Sequence, residues 1–153
     1  MRLTHRQTAR FTRAVQLARR EAMALAAPAL GTEHLLLGLA REERESGRGP
    51  LEPVDPDDLR ALLPRSHPAP EAESPPFSRR AIAALAEARR LADARGDLVV
   101  GADHLLAAVA GDPDCAAVAA LERLGVDVGD VWSLAVADLG RDRGPRPFVD
   151  LFR

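Results

Sequence analysis

The sequence repeats itself after 70 residues, and this internal repeat restricts the chain to folds built from two similar halves. Gly-Thr-Glu-His-Leu-Leu at residues 31–36 falls on Gly-Ala-Asp-His-Leu-Leu at residues 101–106. Upstream, arginines and alanines also coincide: Arg10, Ala14, Ala18, Arg19, Arg20, Ala22 and Ala24 fall on Arg80, Ala84, Ala88, Arg89, Arg90, Ala92 and Ala94. Alanines alone could match by chance, but the ordered hexapeptide could hardly do so. We therefore expect residues 8–40 and 78–110 to form equivalent helix pairs related by a pseudo-two-fold axis.

The first half is expected to be helical because its apolar residues recur at helical spacing. Over residues 8–26 they lie on one stripe of a 3.6-residue helix: Phe11, Ala14, Val15, Ala18, Ala22 and Leu25. Thr32 is placed to cap a second helix, which runs through a cluster of leucines. A short third helix is predicted over residues 54–63, with Asp55 as its cap and Pro56 at its first position.

A proline-rich linker over residues 64–76 separates the two halves, and the helical pattern then begins again. Ser78 can cap the next helix, and Gly96 ends it. Further helices are predicted over residues 103–110, 115–124 and 128–139. The buried face should include the paired leucines of both hexapeptides, Leu35, Leu36, Leu105 and Leu106.

The composition is that of an ordinary globular protein, with 46% hydrophobic and 29% charged residues. A net charge of -2 and a pI of about 6.1 provide no general basic field for non-specific nucleic-acid binding. The single cysteine, Cys115, excludes a disulfide framework or a cysteine-based zinc site within the chain. No stretch reaches the roughly 20 apolar residues of a membrane span, and the first residues lack the apolar run of a signal peptide. We therefore expect a cytoplasmic protein.

The repeated unit resembles the Clp N-terminal repeat domain, also called the Clp R domain, which precedes the ATPase modules of ClpA- and ClpC-type unfoldases. In each half a helix is followed by the same motif, Gly-Thr-Glu-His-Leu-Leu-Leu-Gly-Leu at residues 31–39 and Gly-Ala-Asp-His-Leu-Leu-Ala-Ala-Val at residues 101–109. The resemblance covers residues 4–139. It implies an all-α fold, a pseudo-two-fold bundle of two tandem helical repeats, which receives substrates and adaptor proteins and performs no catalysis.

The resemblance also implies a division of the chain. One Clp-N-like domain covers residues 1–140, with repeat one at 4–63, the linker at 64–76 and repeat two at 77–139, and a tail follows at 141–153. The pattern Gly-x-x-x-x-Gly-Lys-[Ser/Thr] of the family's ATPase modules does not occur, so the chain is either a free-standing relative or an excised piece. The tail after Gly140 favours the free-standing relative. Its implied function is a protein- or peptide-binding module of Clp protein quality control, or a decoy for Clp ligands. Protein substrates, adaptors or a Clp unfoldase or protease would be its partners, without a cofactor.

Four residues correspond to positions that hold phosphoarginine, a degradation mark, in ClpC-type members of Gram-positive bacteria. Transferred by position, Glu33 would act with Thr8, and Asp103 with Ser78. A carboxylate accepts hydrogen bonds from a guanidinium, while hydroxyls and free amides at a helix start suit a phosphate. The alternative is structural, since acids are favoured in the first turn of any helix.

Two departures from the family's pattern weaken the second site, and a third weakens one class of ligand. Asp103 is shorter than the usual Glu, and Ala102 replaces the Thr expected to cap that helix, so Glu33 and Thr8 form the better predicted site. The family's aromatic residue before the first-helix hydroxyl is kept as Phe77 but is Gln7 in repeat one. Cyclic peptide antibiotics, which bind some relatives, are therefore less well supported as ligands.

The remaining chemistry-bearing residues are interpreted structurally. His34 and His104 occupy equivalent places and are expected to pack and hydrogen-bond at the base of their helices, since no His or Cys companions suggest a metal. Cys115 should pack as a small apolar residue. No nucleophile, base and orienting group can be assembled, so we expect no enzyme activity.

The alternative function, from a different class, is a small regulator that binds nucleic acid through its basic first helix. Six arginines lie in or before that helix, although such faces are usually solvated: Arg2, Arg6, Arg10, Arg13, Arg19 and Arg20. The tail is a separate feature, because residues 148–152, Phe-Val-Asp-Leu-Phe, are dense in large apolar groups. We expect this segment to dock on the bundle or on a neighbouring chain.

Overall fold

The computed structural model describes residues 6–47, 49–66 and 74–142, and within them the chain forms seven helices and two very short strands. The strands are β1 (Arg6–Gln7) and β2 (Val99–Val100), and the helices are α1 (Ala9–Ala24), α2 (Thr32–Ser46), α3 (Pro56–Leu62), α4 (Arg79–Arg95), α5 (Ala102–Ala110), α6 (Ala116–Arg123) and α7 (Val128–Ala137). None of these described helices is long and apolar enough to cross a membrane. The all-α fold is thus confirmed, while the centre of the linker and the predicted docking segment at 148–152 lie outside the described residues.

Three helix starts are confirmed as the sequence predicted them. The Thr8 hydroxyl accepts a hydrogen bond from the Phe11 amide, and the Ser78 hydroxyl accepts one from the Ala81 amide, both at 3.1 Å. Asp55 caps α3 through the second amide of that helix. Such caps satisfy amides that the first helical turn leaves without partners.

The predicted cap of α2 is wrong by one residue. Gly31, not Thr32, is the N-cap, and its amide donates to His34 Nδ1 at 2.9 Å. The Thr32 hydroxyl instead accepts a hydrogen bond from the Ala117 amide at 3.2 Å and so connects α2 to α6. Because a glycine followed by histidine three residues later provides the cap in both repeats, Ala102 removes no capping residue from α5.

The short strands show how the two repeats are related. β1 lies parallel to β2 and pairs Gln7 with Val100, while an isolated bridge pairs Phe77 with Leu30. A shift of 70 residues converts the first pair into the second, with the partners exchanged between repeats. Reciprocal contacts of this kind are the mark of a two-fold relation, so the predicted pseudo-symmetry is present in the contacts.

The core is continuous across both repeats and consists mainly of leucine, alanine and valine side chains, with Phe11 and Cys115. The four hexapeptide leucines are buried as predicted, each with no more than 2% of its surface exposed. Repeat one is closed over α3 by an ion-pair bridge, in which the Glu21 carboxylate contacts Arg41 at 2.8 Å and Arg60 at 2.7 Å. This bridge connects α1, α2 and α3 in the half that lacks a counterpart of α6.

Candidate ligand-binding site

The four predicted ligand-binding residues lie in two corners of the bundle, and each corner combines both repeats. At one corner the start of α1 meets the start of α5, since the Thr8 amide donates to Val100 O at 3.0 Å. At the other the start of α4 meets the start of α2, since the Ser78 amide donates to Leu30 O at 2.9 Å. We define corner A as Thr8, Ala102 and Asp103, and corner B as Ser78, Thr32 and Glu33.

The predicted pairing of these residues is therefore wrong. The sequence comparison combined Thr8 with Glu33 and Ser78 with Asp103, within each repeat. The structure brings Thr8 to Asp103 through shared hydrogen-bond partners, and Ser78 and Glu33 line one cavity. The reason is the exchange across the pseudo-two-fold axis, which places the helix start of one repeat against the histidine motif of the other.

Corner A is occupied by a carboxylate of the chain itself. The Thr8 hydroxyl donates to Asp142 Oδ2 at 2.5 Å, and the amide of Ala102, the first residue of α5, donates to the same oxygen at 2.8 Å. Asp103 Oδ2 accepts a hydrogen bond from the Gly140 amide at 2.7 Å. Thr8 and Asp103 are therefore already engaged, and Asp142 carries no signal in the sequence pattern that would have identified it.

Beside corner A lies a cavity of about 510 Å³ with a strongly acidic wall. Its charged lining consists of Arg10, Glu42, Glu43, Glu52, Asp103, Asp138, Arg141 and Asp142. Burial raises the pKa of Glu43 to about 7, against the opposing hydrogen bond from the Leu51 amide and with a further contribution from the neighbouring Glu42. A negative field of this kind disfavours an additional anion from solution.

Corner B opens on a larger cavity of about 790 Å³ in which cationic side chains predominate. Its polar lining includes Glu33, Ser78, Arg79, Arg80 and Arg123, and its apolar lining includes Ala27, Leu62, Leu63, Ala116 and Ala119. Arg80 is partly neutralised by Asp112 at 3.0 Å. Among the described residues, no acceptor bonds the amides of Thr32 and Glu33 at the start of α2. Corner B thus presents donors, one carboxylate and an apolar wall to the same space.

The two histidines have the structural role that their sequence positions predicted. His34 Nδ1 accepts the Gly31 amide and His104 Nδ1 accepts the Gly101 amide, both at 2.9 Å. They differ at the other ring nitrogen: His104 Nε2 lies 2.9 Å from Asp97 Oδ2, whereas His34 Nε2 has no hydrogen-bond partner within the described part of the chain.

Charges around His104 shift both its own pKa and that of Asp97. Burial opposes the charged imidazole, but the neighbouring carboxylates of Asp103 and Asp97 outweigh it and raise the pKa of His104. Burial likewise opposes the charge of Asp97, and hydrogen bonds from His104 and Arg95 outweigh it and lower its pKa. The cluster is a buried structural network at the base of α5.

The sequence analysis missed an ion pair that occurs once in each repeat. Arg10 forms two hydrogen bonds to the Glu42 carboxylate, at 2.6 and 3.0 Å, and Arg80 contacts Asp112 at 3.0 and 3.2 Å. The shift of 70 residues, which places Arg10 on Arg80 and Glu42 on Asp112, contained the signal for both pairs. Each pair connects the first helix of its repeat to the segment that follows the histidine motif.

The arginines of α1 are largely engaged within the protein. Arg13 forms an ion pair with Glu45 at 2.8 Å, and the Arg19 guanidinium lies over the Phe77 ring at 5.2 Å from its centroid. Together with the Arg10 pair, these contacts give no support to the alternative of a basic first helix that binds nucleic acid.

Cys115 packs as predicted. It is buried at the N-cap of α6, where its thiol donates to Val109 O at 3.4 Å. In the described ranges no group of three or more His, Cys, Asp or Glu side chains is arranged to hold a metal ion.

Comparison with family models matches residues 76–142 to the Clp repeat (R) N-terminal domain. The match supports a Clp N-terminal domain in this chain. The match covers repeat two and reaches Asp142, the residue that occupies corner A. Comparison with curated proteins gives no match. The predicted family resemblance is thus confirmed at the level of the domain.

Solved structures extend the likeness to both repeats of the Clp N-terminal domain. The N-terminal domain of the caseinolytic protease associated chaperone ClpD from Arabidopsis thaliana superposes with a TM-score of 0.75 at 24% identity, covering 88% of this chain and 94% of that one. The N-terminal domain of Hsp104 from Candida albicans gives a TM-score of 0.71 at 17% identity, with coverages of 91% and 95%. At these identities the comparison supports the fold.

Proposed function

We propose that this chain is a non-catalytic binding module of a Clp chaperone system and receives protein substrates or adaptor proteins at corner B. The Clp N-terminal fold supports the general role, and the open cavity at corner B supports the choice of site. A cytoplasmic location belongs to the same proposal and agrees with the free thiol of buried Cys115.

A single observation carries the proposal: one cavity gathers a carboxylate, free helix-start amides, a hydroxyl and guanidinium groups. Glu33, Ser78, Arg79 and Arg123 all line it, and α2 begins there. Such a set can hold a ligand that has a positive group and a negative group at its two ends. A modified side chain of a protein substrate, such as phosphoarginine, has this distribution of charge.

The groups that line the cavity at corner B divide into three sets in binding phosphoarginine. The Glu33 carboxylate accepts hydrogen bonds from the guanidinium part of the ligand. The amides at the start of α2, the Ser78 hydroxyl and the Arg79 and Arg123 side chains donate to the phosphate. The apolar wall contacts the neighbouring residues of the bound segment, as in most binding clefts.

Corner A offers the equivalent donors but is the weaker site for an external ligand. The Thr8 hydroxyl and the Ala102 amide already donate hydrogen bonds to Asp142, and the adjoining cavity is acidic. The comparison of the corners therefore keeps Glu33 as the principal acid and assigns Ser78, in place of Thr8, as its hydroxyl partner.

Calorimetric titration with phosphoarginine tests this proposal. The 153-residue chain should bind the ligand, and Glu33→Gln should weaken binding by about tenfold or more, because a hydrogen bond to a charged group contributes roughly 1.5–3 kcal/mol. Asp103→Asn, the matched change in the other repeat, should leave the affinity at corner B unchanged. Thermal melts of both variants would verify that they fold.

Two results would overturn the proposal. One is the absence of detectable binding of phosphoarginine, and of a phosphoarginine-containing peptide, to the unmodified chain. The other is equal weakening by Glu33→Gln and Asp103→Asn, which would show that corner B has no special part in binding. Unmodified arginine and an unmodified peptide serve as ligand controls, since they lack the phosphate.

A further inference from the structure

Asp142 has the contacts of a bound anion, although it belongs to the chain. Its carboxylate takes one hydrogen bond from the Thr8 hydroxyl and one from the Ala102 amide, and the whole residue is 8% exposed. These are the two donors that corner A would offer to a phosphate or carboxylate of an external ligand. The start of α5 adds the favourable helix dipole for a negative charge.

We infer that Asp142 is an internal ligand that closes corner A, so that this corner binds an external anion only when the segment after α7 moves away. The inference rests on the proposed function in one respect, because it assigns a regulated second binding position to the same domain. Binding at corner A would then require displacement of Asp142, and binding at corner B would not.

The segment that carries Asp142 is held in place by contacts on both sides. The Gly140 amide donates to Asp103 Oδ2 at 2.7 Å, and the Arg95 guanidinium donates to Leu139 O at 2.8 Å. Asp103 thus acts as an anchor for the closing segment in this state. An intramolecular carboxylate held so close has a high effective concentration, which an external anion must overcome.

Gly101 shows how tightly the closing segment fits. A side-chain Cβ at this position would lie 2.8 Å from the backbone oxygen of Asp142 and 2.8 Å from its Oδ2. At Gly31, the counterpart in corner B, the nearest atoms to such a Cβ belong only to the Glu33 side chain. The residue that falls on Asp142 under the 70-residue shift is Ala72, which has no carboxylate. Within residues 6–47, 49–66 and 74–142, such an internal ligand is found only at corner A.

The acidic cavity beside corner A strengthens this closure. Glu42, Glu52 and Asp138 share its wall, so an external anion would approach against their charges. Asp142 avoids this barrier because its own backbone delivers it to the site. Removal of its carboxylate would free both donors and lower the negative charge at the same time.

Nuclear magnetic resonance titration with inorganic phosphate tests the closure directly. In the unmodified chain, phosphate should leave the Ala102 amide resonance unchanged. In Asp142→Ala, the same resonance should shift with phosphate concentration, with an apparent affinity at least about tenfold above that of the unmodified chain. Asp142→Asn keeps the size of the side chain and should give an intermediate response. It also serves if the alanine variant is poorly folded.

Glu52→Gln is the matched control, because it removes one negative charge from the same cavity and leaves the contacts of Thr8 and Ala102 in place. It should not produce the Ala102 response. A response of Ala102 that is equal in the unmodified chain and in Asp142→Ala would overturn the inference, and so would no response in either. Neither result bears on phosphoarginine binding at Glu33, so failure here is distinguishable from failure of the proposed function.

Discussion

At the scale of single residues, Glu43 is the clearest case of a group held in an unfavourable environment. It lies on the buried side of α2, with 7% of its surface exposed. The Leu51 amide donates to its Oε2 at 2.8 Å, so the loop after α2 closes over the carboxylate. One hydrogen bond does not offset the desolvation of the charge, which is why the pKa of Glu43 rises to about 7.

This shift predicts that the protein loses stability as the pH rises through the slightly acidic range. Between pH 4.5, the ordinary pKa, and about 7, the folded state keeps a proton that the unfolded state releases. The free energy of unfolding therefore falls over this interval and levels off above it. Glu43→Gln removes the titrating charge and should be more stable than the unmodified chain at pH 8, by about 1–3 kcal/mol. Urea denaturation at pH 4.5 and pH 8 measures both values.

Glu52→Gln, a change at the rim of the same cavity, is the control for a general effect of charge. It should reproduce the pH dependence of the unmodified chain. The prediction is contradicted if Glu43→Gln is no more stable than the unmodified chain at pH 8, or if its gain is the same at both pH values.

The two histidines show how similar residues acquire different surroundings in the two repeats. The Ala27 amide donates to Ala22 O and the Asp97 amide to Ala92 O, both at 2.9 Å, so these positions are equivalent in the backbone. Only position 97 carries a carboxylate, and Asp97 forms a hydrogen bond with Nε2 of His104. An unsatisfied buried nitrogen costs roughly 1–3 kcal/mol, so repeat two has the better-satisfied histidine motif.

At the scale of helices, α1 and α2 approach each other closely at Gly38. A Cβ at this position would lie 2.2 Å from Ala14 O and 2.7 Å from the Ala18 backbone nitrogen. The obstructing atoms belong to the backbone of α1, and they cannot rotate away as a side chain can. The counterpart of Gly38 in α5 is Ala108, so the α4–α5 pair accommodates a methyl group where the α1–α2 pair does not.

Gly38→Ala is therefore expected to destabilise the protein, although alanine is the better helix former. The clash should force α1 and α2 apart and lower the free energy of unfolding by about 2 kcal/mol or more. For a chain of this size such a change lowers the melting temperature by roughly 4–8 °C. Thermal denaturation followed by circular dichroism measures the shift.

Gly129→Ala in α7 is the matched control, because the only atom near its added Cβ is the end of the Asp127 side chain, at 3.1 Å. This change should be neutral or stabilising by up to about 1 kcal/mol, as helix propensity alone predicts. Equal effects of the two substitutions would show that the close approach at Gly38 is not the cause.

At the scale of the whole molecule, the sequence predicted the elements but not their partners. Helical spacing and capping residues located the described helices to within about two residues, because these signals are local. The 70-residue shift shows only which positions are equivalent. The shift is satisfied equally well if each corner is built within one repeat or between the two repeats. The sequence alone therefore led to the wrong pairing of Thr8 with Glu33, within one repeat. Contacts between the repeats, such as those of Leu30 with Phe77 and of Gln7 with Val100, decide between them.

The same limit explains why Asp142 escaped the sequence analysis. The residue that falls on it under the 70-residue shift is not acidic, and Asp142 lies in the segment assigned to the tail, beyond the last predicted helix. Its importance arises from a contact across 134 positions of the chain, which no local pattern encodes. Arg141 and Asp142 contact the bundle, whereas docking of residues 148–152 stays a prediction.

Truncation separates these two parts of the tail. A chain ending at residue 140 loses Asp142, and with it the acceptor for the Thr8 hydroxyl and the Ala102 amide. A chain ending at residue 144 keeps it. Because the loss of a helix-start acceptor costs about 1–2 kcal/mol, the shorter chain should unfold at lower urea concentration than the longer one.

If residues 148–152 dock on the bundle, the 144-residue chain should in turn be less stable than the full one. Equal midpoints for the 140- and 144-residue chains would contradict the contribution of Asp142 to the fold. If the 140-residue chain is less stable than the 144-residue chain, and the 144-residue and full chains have equal midpoints, the stabilising contact lies at corner A. The apolar segment at residues 148–152 then contributes nothing to stability.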